Sequence, residues 1–247
     1  MASTSETGIA TNIANLKTMI GFTVSYGDKY KPSNELLTTE NLQKLEVDIE
    51  KSVGAYDKLE GELTKLQNDR TTEFDNLDPL VTEIVNAFDS CGVSKLAVDN
   101  AMEYVRLIRG DSKKKKPTPE EIEAMKAAGK EYKPHSTSQL SYVNRVSNFG
   151  KLIDVLEPEP KYTPNETELK IDTLKAYKQT LTDLNQGVAD KKVKLADLKI
   201  IRDNLFNNPE NGLVFLSVRV KNYVKSVYGA NTNRYQDVAA LKFTKVR

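Results

Sequence analysis

The chain has 247 residues, 38% of them hydrophobic and 29% charged, and its 36 basic and 35 acidic side chains leave a formal net charge of +1. This length provides one large domain or two small ones, and the modest apolar content supports a slender core. Cys91 is the only cysteine, so the chain cannot form an intrachain disulfide. His135 is the only histidine, and a structural zinc site needs about four cysteine or histidine ligands, so such a site is excluded as well.

The first part of the chain is predicted to be helical. Residues 1–12 lack the basic and apolar regions of a secretory signal peptide, and no run of about 18 apolar residues that could span a membrane follows them. We therefore expect a cytoplasmic protein. A first helix is predicted over 7–26, because apolar residues recur at the helical spacing of three and four: Ile9, Ile13, Leu16, Ile20 and Val24.

A break around Gly27 and Pro32 separates this helix from a much longer one. We predict the second helix over 33–74, with Ser33 or Asn34 as its cap. Apolar residues alternate in steps of three and four through about four heptads, which is typical of coiled-coil packing. A helix of about 40 residues reaches about 60 Å. We therefore expect an elongated molecule with this helix in its spine.

Two further helices are predicted before residue 110. A third helix covers 79–91, with Asp78 as its cap and Gly92 as the glycine that ends it. Ser94 can cap a short fourth helix. The stretch "YVRLIRG" at 104–110 fits either a helix or an extended segment. The next residues, 111–135, contain four consecutive lysines, prolines and no apolar period, so we predict a charged linker with one short helix over 120–128.

After the linker the sequence repeats itself. The stretch "YKPSNEL" at 30–36 returns as "YTPNETEL" at 162–169, at an offset of 132 residues. The same offset pairs Arg70 with Arg202, and a slightly larger one pairs Gly92 with Gly229. The chain is therefore predicted to be a tandem duplication, with a first helical copy at 1–110, the linker at 111–135 and a second helical copy at 136–247.

The second copy predicts the same order of elements as the first. Its long helix is expected over 165–206, antiparallel to the helix over 33–74, and its third helix over 212–228. Thr232 can cap a short fourth helix. The final stretch "LKFTKVR" at 241–247 fits either a helix or an extended segment.

The two copies differ in charge. Residues 1–110 carry a net charge of −7, residues 111–135 carry +2, and residues 136–247 carry +6. Opposite charges steer and select partners, and salt weakens them. The copies can attract each other within one chain or between chains, and a head-to-tail contact between chains forms rings or filaments. The alternative is that the asymmetry is sequence drift on solvated surfaces.

Six basic residues are candidates for contacts with a partner. Arg70 and Arg202 lie near the ends of the two leucine seams, where they either bind a partner's carboxylate or pack their stems on the seam. The others lie in the last helices of the second copy, where their neighbours make an amphipathic surface: Arg219, Lys221, Lys225 and Arg234. Lys242 and Lys245 belong to the same basic surface. The lysine run at 113–116 favours a solvated linker over phosphate binding.

The chain contains no motif typical of an enzyme or a cofactor site. We find no phosphate-binding loop, dinucleotide fingerprint, zinc-protease motif, nucleophile elbow or EF-hand loop. A Cys–His pair is formally available, but Cys91 closes an apolar segment that favours a packed thiol. Most carboxylates lie at helix-surface spacing, as Glu46 and Glu50 do. We therefore predict no catalytic residue, no cofactor and no metal.

The repeated Tyr-x-Pro turn, the long leucine helix and "YVKSVYGA" at 223–230 also support a resemblance, to which "YTPNETEL" at 162–169 contributes most. In these features the chain resembles uncharacterised, duplicated all-helical proteins of Bacteroidota. The resemblance covers nearly the whole chain. It implies a duplicated helical protein, and it brings no activity, catalytic residue or cofactor.

These observations predict an all-α, elongated bundle of two homologous units, and a function in binding or structure. We expect a non-enzymatic interaction protein that associates with itself or with another protein. One alternative is a membrane-active, toxin-like helical protein without a transmembrane segment. Another is a protein that binds nucleic acid or an acidic surface through its basic second copy, although the short basic runs argue against nucleic acid.

Overall fold

The computed structural model describes residues 8–110 and 140–246 and, between these ranges, only Glu120, Glu123, Lys126 and Ala127. The described residues form helices, turns and irregular segments, and none of them lies in a strand, so the predicted all-α class is confirmed. The four intervening positions are helical and fall in the helix predicted over 120–128. The lysine run at 113–116 and His135 lie outside the described residues.

Seven helices carry the fold of the described ranges. They are α1 (Ile9–Ser25), α2 (Thr39–Ser90), α3 (Lys95–Arg109), α4 (Tyr142–Leu156), α5 (Ile171–Asn207), α6 (Leu213–Tyr228) and α7 (Asn233–Ala240). Three short 3₁₀ helices accompany them, at Gly27–Lys29, Glu35–Leu37 and Thr167–Leu169.

The chain folds into two compact units. Unit 1 comprises Met1–Leu63 and Lys191–Arg247, and unit 2 comprises Thr64–Asp190. Helices α2 and α5 each contribute residues to both units, so each predicted copy does so as well. The units are therefore a different division of the chain from the copies at 1–110 and 136–247. The duplication itself stays a prediction.

Each unit buries its own core. In unit 1 the buried side chains of α1 and the first part of α2 pack with those of the end of α5, α6 and α7; they include Leu16, Met19, Ile49, Phe206 and Val220. In unit 2 the second part of α2 packs with α3, α4 and the first part of α5 through Phe74, Ile84, Ile108, Phe149 and Leu181. Burial of such apolar faces is the main stabilising term for both units.

The two Tyr-x-Pro turns share one hydrogen bond. In unit 1 the Tyr30 hydroxyl donates to the carbonyl of Leu37 at 2.7 Å, and in unit 2 the Tyr162 hydroxyl donates to the carbonyl of Leu169 at 2.8 Å. Both tyrosines are buried. Each bond closes the turn that leads from a first helix into a long one. The sequence similarity at 30–36 and 162–169 therefore coincides with one local structure.

The predicted break after residue 74 is wrong. Helix α2 continues through Pro79 to Ser90, so Asp78 does not cap a new helix. A proline inside a helix loses one backbone hydrogen bond. Here the apolar period crosses it unbroken, and fully buried side chains lie on both sides: Phe74, Leu77, Val81, Ile84 and Phe88. The Asp78 carboxylate instead accepts from Arg145 at 2.7 Å.

The predicted antiparallel pairing of the long helices is found in both units. In unit 1 the Arg202 guanidinium lies over the Tyr56 ring, and the Lys191 ammonium binds the Glu62 carboxylate at 2.6 Å. In unit 2 the Tyr177 hydroxyl donates to the carbonyl of Glu73. Residue numbers on α5 fall as those on α2 rise. Coiled-coil packing over the whole length stays a prediction.

The glycine and serine signals at the helix ends are confirmed. Gly92 and Gly229 adopt φ angles of 69° and 86°, which favour glycine. Ser94 accepts a hydrogen bond from the Ala97 amide, and Thr232 accepts one from the Tyr235 amide, so both cap the next helix. Of the two ambiguous stretches, 104–109 is helical, whereas 241–246 leaves the helix.

Candidate functional site

A break between α5 and α6 in unit 1 opens the main groove of the described surface. Helix α5 ends at Asn207, and α6 begins at Leu213. In the connecting turn, the Asn208 side chain accepts hydrogen bonds from the amides of Glu210 and Asn211. These bonds replace helical ones and hold the turn in place.

Gly212 sets how tightly this turn can close. A Cβ atom at Gly212 would lie 2.5 Å from the backbone nitrogen of Asn208 and 2.7 Å from its carbonyl oxygen. Such distances are far inside van der Waals contact, so any larger residue forces the backbone apart. Glycine at this position therefore fixes the direction in which α6 leaves the turn.

The groove has a volume of about 780 Å³ and combines an apolar floor with polar edges. Its apolar side chains come from the 35–37 turn, the connecting turn and the first turns of α6: Leu37, Pro209, Val214, Phe215 and Val218. Val218 is 53% exposed, which is high for an apolar side chain on a packed helix. Volume and composition are both typical of a binding cleft.

The charged residues of the groove are both basic. Arg219 and Lys245 contribute to its lining, and none of the described residues that line it is a carboxylate. The Arg219 guanidinium lies 4.6 Å from the centre of the Phe215 ring. Within the described part of the chain, neither cation forms an ion pair. The groove is therefore suited to an anionic ligand that also carries apolar groups.

A second, smaller groove of about 490 Å³ lies against the other residues of the same turns. Leu36 and Ile201 line it and are 44% and 53% exposed. Its charged residues are Lys44 and Asp48, one of each sign. This groove therefore extends the apolar surface of unit 1 without adding net charge.

Three of the other basic candidates contact groups of the chain itself. Lys221 donates to the carbonyls of Ala239 and Leu241 at the end of α7, and burial lowers the pKa of its ammonium. Lys225 lies 5.7 Å from the centre of the Tyr235 ring. Arg234 lies over the Tyr228 and Tyr26 rings, at 4.8 and 5.8 Å. Lys225 and Arg234 keep exposed side chains, whereas Lys221 is committed to the fold.

Arg70 and Arg202 lie against aromatic rings in different units. The Arg70 guanidinium lies 4.0 Å from the centre of the Tyr142 ring in unit 2. Arg202, in unit 1, is 6% exposed and binds the Asp203 carboxylate at 2.7 Å as well as the Tyr56 ring. In this geometry Arg202 has little surface left for a partner, and it stabilises the α2–α5 pairing of its own unit.

The pKa values of three tyrosine hydroxyls are raised, and the main cause in each case is burial. Burial raises the pKa of Tyr162 and Tyr177 to about 12 and raises the pKa of Tyr30 further. Within the described ranges, no group of three or more His, Cys, Asp or Glu side chains could hold a metal, and none of the helices is long and apolar enough to cross a bilayer. Cys91 is a half-buried free thiol.

Comparison with known proteins returns no match to a family model, a curated protein or a solved structure. The resemblance to duplicated helical proteins of Bacteroidota stays a prediction. Of the six sequence candidates, the main groove includes only Arg219. The groove also includes Lys245, which the sequence placed in the same basic surface, whereas the apolar lining was not predicted. The stretch at 207–212 contains a proline and a glycine and has no counterpart in the predicted first copy. It was the one sequence feature that could have indicated a groove at this position.

Proposed function

We propose that the protein is a non-enzymatic interaction protein that associates with itself through the main groove of unit 1. The observation that carries this proposal is a cleft that combines exposed apolar side chains with two cations, Arg219 and Lys245. Among the described residues these cations form no ion pair, and no carboxylate lines the cleft. Such a surface binds an acidic segment that also presents an apolar side chain.

Charge favours a second copy of this chain as the occupant. Residues 1–110 carry a net charge of −7, whereas the groove is lined mainly by residues from the basic range 136–247, with a net charge of +6. Unit 2, which holds part of that acidic range and carries a net charge of −3, therefore complements the basic groove of another molecule. Because the two surfaces differ, the contact is head-to-tail and leads to rings or filaments.

A charge-reversal variant tests this proposal. In Arg219→Glu/Lys245→Glu the groove carries two acidic groups, and we expect the assemblies of the wild-type chain to dissociate. The matched control is Lys192→Glu/Lys194→Glu, which makes the same charge change at exposed positions of α5 outside the groove lining. The control is expected to assemble as the wild type does.

Sedimentation velocity measures the outcome at two salt concentrations. From about 0.1 M to about 1 M salt the Debye length falls from roughly 10 to roughly 3 Å, so a charge-steered assembly weakens. We expect assemblies of the wild-type chain at the lower concentration. Monomers at every protein and salt concentration would overturn the proposal, as would equal dissociation of the control variant.

Two competing functions are outcomes of parallel assays. If Arg219→Glu/Lys245→Glu loses binding to nucleic acid on filters, with a steep salt dependence, the basic groove serves phosphates instead. Leakage of dye from liposomes would favour the membrane-active alternative. If the wild-type chain does not self-associate and one of these two assays is positive, the function indicated by that assay takes the place of the one proposed here.

A further inference from the structure

Residues 241–246 cross unit 1 as an extended segment whose backbone is held by side chains. Asn15 donates to the carbonyl of Lys242 at 2.7 Å. Asn12 donates to the carbonyl of Thr244 at 2.8 Å and accepts from its amide at 3.0 Å. The bonded residues are two apart, as are residues on one face of an extended chain.

A third asparagine continues the pattern. Asn207 donates to the carbonyl of Val246 at 2.7 Å and accepts from the amide of the same residue at 3.0 Å. Each of these two-bond contacts satisfies one residue's donor and acceptor, which is what a neighbouring strand does in a sheet. Asparagine suits this role because its amide carries both donors and an acceptor.

The backbone and the side chains of residues 241–246 are bound by different parts of unit 1. The asparagines bind backbone groups, which every residue except proline possesses, at 242, 244 and 246. The side chains of Leu241, Phe243 and Val246 pack against the core of unit 1. This division is the one found where proteins bind extended peptides: backbone bonds supply affinity, and pockets for side chains supply specificity.

The helices that carry Asn12 and Asn207 are held by core contacts of their own. Asn12 is 1% exposed on α1, and Asn207 is the last residue of α5. Both lie on helices whose apolar faces pack in the core of unit 1. If the segment left, the amide of Asn12 would exchange its two bonds to Thr244 for bonds to water, so an extended peptide with the same backbone groups can replace the segment there.

We infer that Asn12, Asn15 and Asn207 form a main-chain clamp for an extended peptide, and that a second copy of this chain supplies its residues 241–246 to the clamp in exchange for the resident segment. A second copy of this chain fits the clamp as the resident segment does, since it offers the identical backbone and apolar side chains. Exchange of an identical element is a low-cost route to association. The inference rests on the self-association proposed above and names a second contact for it.

A full-length variant with a weakened resident segment tests the clamp. Thr244→Pro removes the amide that donates to Asn12 and leaves every clamp residue in place. The probe is a fluorescent peptide with the sequence of residues 240–247, followed by anisotropy. We expect saturable binding to Thr244→Pro. Binding to the wild type should be much weaker, because the resident segment competes at an effective concentration of the order of mM.

Substitution of the clamp decides whether the peptide binds there. Adding Asn12→Leu to Thr244→Pro removes two hydrogen bonds, and we expect the dissociation constant of the peptide to rise about tenfold or more. The matched control, Asn76→Leu, changes an exposed asparagine of α2 in unit 2 and should leave binding unchanged. A peptide with alanine at the position of Phe243 should bind less tightly.

Two results would overturn the inference. One is that Thr244→Pro has a native helical circular dichroism spectrum but does not bind the peptide. The other is that it binds the peptide equally well with and without Asn12→Leu. If Thr244→Pro fails to fold, the full-length Phe243→Ala variant takes its place, because it keeps the same backbone groups. Peptide binding without assembly of the wild-type chain would overturn the charge-driven association alone. Assembly that neither the peptide nor Thr244→Pro alters would overturn the exchange alone.

Discussion

Units 1 and 2 repeat one local plan and diverge directly after a buried phenylalanine. In unit 2, α2 passes Phe74 and continues through Pro79 to Ser90. In unit 1, α5 ends one residue after Phe206, and α6 starts at Leu213. Both phenylalanines are fully buried. Asn207 and Pro209 of this break line the main groove together with residues of α6, so the groove lies where the two units differ.

The extended segment marks a second difference between the units. At an offset of 133 residues, one more than that between Arg70 and Arg202, Asn12 of unit 1 corresponds to Arg145 of unit 2. Arg145 binds the carbonyl of Phe74 and the carboxylate of Asp78, which lie on its neighbouring helix. In unit 2, α3 remains helical to Arg109 and packs against α4, whereas in unit 1 the residues after α7 leave the helix. An asparagine in one unit holds an extended backbone, and an arginine in the other joins two helices.

The units also redistribute the charge of the predicted copies. Unit 1 contains 18 basic and 14 acidic residues, a net charge of +4, and unit 2 contains 18 and 21, a net charge of −3. The corresponding values for the copies are −7 and +6. Contacts such as Lys191 with Glu62 therefore satisfy part of the complementarity within unit 1. The difference in sign that remains supports the head-to-tail contact.

The largest expected effect comes from the two phenylalanines at which the units diverge. Phe74→Ala and Phe206→Ala each leave a cavity in a separate core, and each should lower the free energy of unfolding by about 3–5 kcal/mol. Urea titrations followed by circular dichroism measure both values. Val193→Ala, at a side chain that is 64% exposed, is the control and should change little. A cost near zero for either phenylalanine would contradict the separate core of that unit.

Gly212 lies directly before α6 and tests the turn at which unit 1 departs from unit 2. Gly212→Ala places a Cβ against the backbone of Asn208 and should lower the free energy of unfolding by about 1–3 kcal/mol. The control is Gly61→Ala in α2, where a Cβ meets no atom within 4 Å. That change should raise stability by up to about 1 kcal/mol, because alanine favours a helix over glycine. Equal effects of the two substitutions would contradict the tight turn.

The shared Tyr-x-Pro turns allow a matched pair of substitutions. Tyr30→Phe and Tyr162→Phe each remove the hydroxyl that satisfies a buried carbonyl, of Leu37 or Leu169. Each should lower the free energy of unfolding by about 1–2 kcal/mol. Tyr104→Phe and Tyr235→Phe are the controls, because these half-buried tyrosines make no comparable bond between a hydroxyl and a turn carbonyl in the described structure. A large difference between Tyr30→Phe and Tyr162→Phe would show that the turns are only superficially alike.

The same tyrosines predict a loss of stability in alkali. Burial raises the pKa of Tyr162 to about 12 from its ordinary value of 10.0. Between these two values the unfolded chain releases the proton while the folded chain retains it. The free energy of unfolding therefore falls as the pH rises from about 10 to about 12 and is unaffected by this group below that range. Tyr162→Phe should show a shallower fall in the same urea titrations, and an identical slope would contradict the shift.

Much of the helical structure follows from local sequence signals. Helix α1 and the caps at Ser94 and Thr232 lie close to where spacing and capping rules place them. The two long helices begin about six residues after their predicted starts, because Asn34 caps the 3₁₀ helix Glu35–Leu37 and not α2. The error at Pro79 came from giving a helix-breaking residue more weight than the apolar period on its two sides. Where that period crosses a proline unbroken, tertiary burial outweighs the local cost.

The groove and the clamp depend on contacts that no local pattern encodes. Asn12 meets Thr244 across 232 positions of sequence, and Asn207 meets Val246 from a different helix. Nothing in the spacing of either asparagine distinguishes it from a solvated residue. The apolar periods of the two copies are similar, so they also do not determine which half of one copy packs with which half of the other. Such pairings follow from the complete fold.

The smallest expected effect compares the caps that open α3 and α7. Ser94 accepts one amide hydrogen bond, whereas Thr232 accepts one and also donates to the carbonyl of Gly229 at 3.1 Å. Ser94→Ala and Thr232→Ala should each lower the free energy of unfolding by about 0.5–1 kcal/mol. Because Thr232 makes two bonds and α7 has only 8 residues against 15 in α3, Thr232→Ala should cost more.

The interchange variants Ser94→Thr and Thr232→Ser keep a hydroxyl at each cap and are the controls. Both should remain close to the wild type in urea titrations, since either hydroxyl can accept the amide bond. Thr232→Ala should also release residues 241–246 more often, because α7 leads directly into them. The fluorescent peptide should then bind Thr232→Ala more tightly than it binds Ser94→Ala. Equal peptide binding by the two variants would show that α7 and the clamp respond independently.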